Sequence, residues 1–230
     1  MRHTCARVFA AVAFAGLLAS PATTYAQAHP SNAKFQGLTY GEWLAATWQA
    51  ALATPIEGGS HPWINGGAFV VGDRMVALAA PVVPLGSRKV TIQITVAPGT
   101  PLSVGIIGVD CSVAEAWPFH GEDEAELRAC ANGLLDVAQE PYAEIDGKPV
   151  TDPGAYRTES PLFRYGPLPA NNYLGLPPGT QSDAVVAGYG LLVPPLSTGV
   201  HRIAVSAVVP AFGIAVDAEF VVTVVAPGKK

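Results

Sequence analysis

The chain has 230 residues, with 13 Lys and Arg against 18 Asp and Glu, for a formal net charge of −5. Charged residues are only 13% of it and half is apolar. That is too apolar for intrinsic disorder, and the acidic balance offers nothing to a polyanion, which excludes nucleic acid as a partner. The 24 Gly and 21 Pro suit short strands joined by tight turns, because Gly supplies positive φ and Pro fixes φ.

Residues 1–28 read as an export signal. Arg2 and Arg7 give a positive start, residues 8–18 an apolar run, and small residues lead to cleavage after Ala26 or Ala28. The run is too short to span a bilayer and no later segment is long and uninterrupted enough, so no transmembrane anchor is expected. Cys5 precedes the run and leaves with it. The expected mature protein is exported, to the periplasm or beyond, and residues 29–230 form a single domain.

The stretch TYGEWLAATWQAALATP reads as a helix. Thr39 and Glu42 stand at capping-box spacing, and Pro55 ends it. Leu44, Trp48, Ala51 and Leu52 share one face, extended backwards by Tyr40, with Trp43 flanking it. Strands follow. GAFVVG and RMVALAAP come first, then RKVTIQITVAP with Val90, Ile92, Ile94 and Val96 on one side, then PLSVGIIGVD. After residue 138 come YAEIDGKPV, with Asp146-Gly147 as a tight turn, SPLFRYGPL, AVVAGYGLLVPPL, GVHRIAVSAVVP and FGIAVDAEFVVTVV. Eight or nine short strands without alternating helices argue against a parallel sheet. The expected fold is mainly β: an antiparallel β-sandwich, jelly-roll-like, with two short accessory helices.

Between the two groups of strands lies CSVAEAWPFHGEDEAELRAC, residues 111–130. With Cys5 removed, Cys111 and Cys130 remain as an even pair, and a disulfide between them fits an oxidising compartment. Residues from Gly121 onward read as a helix with Leu127, Cys130, Ala131, Leu134, Leu135 and Ala138 on its apolar face.

Two readings of the acidic start compete. In the first, Glu122, Asp123, Glu124 and Glu126 answer the partial positive charge and free N–H groups of a helix N-terminus. In the second, the disulfide draws Asp110 towards the helix start to form a ligand region of Asp110, Trp117, His120 and Glu122. His120, Glu122 and Asp123 are then candidate ligands for Ca²⁺ or Zn²⁺, or His120 is a base oriented by a carboxylate in a metal-dependent hydrolase or lyase. No G-x-S-x-G occurs, and no nucleophile is marked.

YGEW opening a Trp-bearing helix, the VDCS–FHGEDEAELRAC block, IDGKPV, LGLPPGT and the GVHRIAV–PAFG–VTV close resemble a family of uncharacterised exported bacterial proteins. The resemblance implies export and a shared fold from Tyr40 to Val225, and no chemistry. This chain departs from that pattern in two places. Its first helix carries Thr47 and Ala50 where relatives are richer in Trp, and its early strands lack a cysteine pair.

Cleavage after Ala28 would make His29 the N-terminus, able to chelate copper with a second histidine from His61, His120 or His201 in a histidine brace. The aromatics are the remaining locus. Trp43, Trp48, Trp63 and Trp117 offer rings to a carbohydrate or other small molecule. Trp48 reads as core, Trp63 and Trp117 as loop residues, and Asn171-Asn172-Tyr173 as a turn with an aromatic anchor. The expectation is an exported binding or envelope-associated module, with catalysis and oligomeric state left open.

Overall fold

The computed structural model describes residues 27–225. Residues 1–26 of the proposed leader, with Cys5 and a cut after Ala26, lie outside them. Three α-helices are described: α1 (Tyr40–Leu52), α2 (Pro62–Asn65) and α3 (Glu124–Leu135). The strands of the first sheet are β1 (Gly67–Val71), β2 (Met75–Ala79), β5 (Leu102–Ser112), β8 (Arg157–Glu159), β9 (Phe163–Tyr165) and β10 (Ser182–Val193). Those of the second are β3 (Val83–Pro84), β4 (Val90–Val96), β6 (Gln139–Ile145), β7 (Lys148–Pro149), β11 (Gly199–Val209) and β12 (Ile214–Val224). The additional strands beyond the eight or nine expected are runs of two or three residues, too short to show a period.

The first sheet runs β1-β2-β5-β10, with β8 and β9 sharing the far edge of β10. The second runs β12-β11-β6-β7, with β3 and β4 sharing the far edge of β12. The sheets pack face to face as a β-sandwich. Leu102, Val104, Leu191 and Val193 from one meet Ile203, Val205, Phe220 and Val222 from the other in a single apolar core. Pairing is antiparallel except at β2–β5 and β4–β12, which are parallel. Period-two alternation dictates the contribution of β4: Ile92, Ile94 and Val96 are buried while Thr91, Gln93 and Thr95 are exposed. Asp146 and Gly147, both at positive φ, turn β6 into β7.

A bulge decides how the long strand β5 is covered. Gly190 pairs with Gly105 and Tyr189 with Ile107, so Ile106 is the extra residue. Leu102, Val104 and Ile106 therefore face the second sheet, and the same side continues as Ile107, Val109 and Cys111 under α3. Sheet and helix lie side by side on one face of β5 and β10. The opposite face, carrying Ser103, Gly105, Gly108, Asp110 and Ser112 with their partners Val186 and Leu192, lies towards α1.

α1 forms as its caps dictate. The Thr39 hydroxyl accepts from the Glu42 N–H while the Glu42 carboxylate accepts from the Thr39 N–H. Its docking face is rotated from the one expected. Trp43 is only 3% exposed and donates its indole N–H to the Phe35 carbonyl at 2.8 Å, whereas Leu44 and Trp48 stay half-buried. The leader segment before the helix supplies that partner, which a helical wheel cannot show. Gly41 permits the approach, since a Cβ there would lie 2.3 Å from the Glu159 carbonyl oxygen.

Candidate binding notch and the stapled block

After Ala79 the chain leaves the first sheet and crosses to the second, where Val83 pairs with Ala215. β2 pairs with β5 only as far as Val104. From Gly105 to Asp110 the β2-side edge of β5 has no partner strand among the described residues. This divergence opens a notch of about 150 Å³. Its floor is the backbone of Gly105 and Gly108, its inner wall Ile106 and Val216, and its roof Leu44, Thr47 and Trp48 of α1. Trp63, Phe69 and Tyr173 close the aromatic side. The lining carries no charged side chain. A Cβ added at Gly108 would come into van der Waals contact with Trp48 at 3.5 Å and so narrow the recess.

Each aromatic is placed by a polar anchor behind it. His61, buried at the N-cap of α2, accepts the Trp63 N–H on Nδ1 at 3.1 Å and donates from Nε2 to the Ala51 carbonyl at 3.2 Å. Burial holds this imidazole below the usual histidine range, with the Ala51 bond opposing, so it is neutral and joins α2 to the end of α1. Tyr173 follows Asn172, a buried side chain that donates to the Pro169 and Leu176 carbonyls and accepts the Leu176 N–H. The rings then stack in sequence. Trp48 and Trp63 centroids are 4.6 Å apart, and Tyr173 meets Trp63 edge-on at 4.9 Å.

The 111–130 block is organised differently. Cys111 and Cys130 form a disulfide with a Cα–Cα distance of 6.1 Å, joining β5 to α3. A structural disulfide belongs to an oxidising compartment rather than a reducing cytoplasm. Leu127, Ala131 and Leu135 of α3 pack under Val185 and Ala187. The helix start uses its acids as caps: Asp123 accepts the Glu126 N–H at 2.9 Å, and Glu126 accepts the Glu122 N–H at 2.9 Å. Arg128 then bridges to Glu124, Glu159 and the Ser160 carbonyl, tying α3 to β8.

The sequence-derived cluster is dispersed over these roles. Asp110 is 5% exposed and lies on the α1 side, directly opposite Val186. Trp117 is 88% exposed and turned to solvent. His120 bonds the Glu115 carbonyl through Nδ1 at 3.0 Å, and Glu122 and Asp123 serve the helix start. Among the described residues no three His, Cys, Asp or Glu side chains are grouped to hold a metal ion. For a copper brace, both ring nitrogens of His61 and of His201 are already engaged, the latter with Asp146 and the Ser197 carbonyl. The His29 ring meets the Lys34 carbonyl and the edge of Phe35.

Asp110 has a neighbour that sequence spacing did not suggest, Glu115. Burial, and then the Glu115 charge, push the Asp110 carboxyl well above the ordinary range. Burial also raises Glu115, against a hydrogen bond donated by the Ser112 hydroxyl at 2.8 Å. Tyr165 lies 2.9 Å from that hydroxyl. One oxygen of Asp110, Oδ2, is buried without a hydrogen-bond partner among the described residues. Such an atom costs about 1–3 kcal/mol left unpaired.

No family model, curated protein or solved structure matches the chain. No helix among the described residues is long and apolar enough to cross a membrane. Gly105 and Gly108 inside one strand mark a bulge or a close approach, but not the departure of β2 that opens the notch.

Proposed function

We propose that this protein is an exported, non-catalytic binding module of the cell envelope, periplasmic or secreted, and that its ligand site is the notch beside β5. The observation that carries the reading is an apolar recess roofed by Trp48, walled by Trp63 and Tyr173, and floored by glycine. At about 150 Å³ it matches one benzene-sized ring. Few polar groups enter it, Thr47 and Ser103 among them, as expected of a small-molecule site that selects by shape. A ring-bearing small molecule is thus the ligand class, with a single sugar ring stacked on Trp48 as one member.

The test is occlusion from the floor. Gly105 has room for a Cβ, with only the Leu78 carbonyl oxygen near it, at 3.9 Å. A Gly105→Leu variant fills the recess, and a melting curve matching wild type checks that the fold is kept. Wild-type protein titrated with a panel of benzyl and pyranose compounds shows saturable quenching of indole fluorescence, and Gly105→Leu loses at least tenfold in affinity. Equal binding by the two proteins, or no saturable binding to wild type, rejects the notch as the site.

A further inference from the structure

Resting on that reading, we propose that the notch selects a ring carrying a protonated amine, the ring lying among Trp48, Trp63 and Tyr173 and the ammonium reaching Asp110 Oδ2. Gly108 and Asp110 sit on the same side of β5 two residues apart, so the carboxyl lies about 7 Å along the strand from the floor. Tyr173, a residue of the notch lining, is also within electrostatic reach of the Asp110 carboxyl.

Asp110 and Glu115 stand side by side in the interior, and no Lys, Arg or His among the described residues forms an ion pair with either. His120 addresses the Glu115 main chain, not its carboxyl. A buried oxygen without a donor next to an aromatic recess calls for a ligand that brings the donor, and an ammonium does so while its ring satisfies the apolar walls. An anion or a zwitterion with a short acid arm is disfavoured by the same pair.

The experiment compares 2-phenylethylamine with 2-phenylethanol, which match in size and differ in charge, by calorimetric titration at pH 7. Wild type binds the amine at least tenfold more tightly than the alcohol. In the double variant Asp110→Asn/Glu115→Gln the alcohol binds as before and the preference is gone. Equal affinities in wild type overturn the amine proposal while leaving the notch as a ring site. A preference that survives in the double variant also overturns it. Binding of neither compound to wild type overturns both this proposal and the reading it rests on.

Discussion

The two long helices on the first sheet are held in opposite ways. α3 is fixed by a disulfide, a buried apolar stripe and the Arg128 bridges to Glu124 and Glu159. α1 is held by caps, packing and single hydrogen bonds such as that from Trp43 to the Phe35 carbonyl, and Leu44 and Trp48 at its side stay partly exposed over the notch. In the block richest in titratable residues, Asp123, Glu126 and Arg128 cap and anchor α3, whereas the plainer helix borders the recess. Chemical variety in a short stretch of sequence is a weak guide to a site when most of it is spent on capping and anchoring.

That contrast is sharpened first within α1. Trp43→Ala removes a buried ring and its hydrogen bond and costs about 3–5 kcal/mol in chemical denaturation. Trp48→Ala, five residues on, costs about 1–2 kcal/mol because its ring is less deeply buried than that of Trp43, yet abolishes ring binding. If the two losses are equal, the division of α1 into an anchored and an open side fails. Next, Cys111→Ser/Cys130→Ser lowers stability by about 3 kcal/mol, the loss expected for opening a loop of this length. Ring affinity at the notch is unchanged in the folded fraction, since α3 lies on the other face of β5.

The smallest effect is one of pH. Asp110 and Glu115 are both raised in the folded state, so their contribution is fully present below the ordinary carboxyl range. It is lost as pH rises through their folded values, because the unfolded chain has by then released protons the folded chain retains. Wild type therefore gains stability from pH 7 down towards pH 5 relative to Asp110→Asn/Glu115→Gln, as read from paired melting curves. Parallel curves over that range would show that the pair is solvated rather than buried.

Much of the sandwich was legible in the sequence because its signals are local. Val90 to Val96 alternates cleanly, Thr39 and Glu42 spell out a cap, and Cys111 and Cys130 were the pair left once Cys5 was assigned to the leader. The rotated face of α1 was not legible, since it depends on Phe35 meeting Trp43 from a segment with no periodicity. Nor was the Asp110–Glu115 pair, which forms when the loop after β5 folds back so that Ser112 can hold Glu115. The notch exists because β2 departs while β5 continues, a property of two strands' relative lengths that neither strand carries alone.

β12 lies inside the second sheet, with β11 on one edge and β3 then β4 on the other. β4 is complete at residue 96, and the segment that satisfies its amide row begins at residue 214. While the chain is being made, the second sheet has no middle, and its closure joins segments far apart in sequence, a topology that folds slowly. A chain stopped before Ile214 would leave β3, β4 and β11 with no common neighbour, so loss of this one segment would dismantle half the sandwich rather than trim an edge.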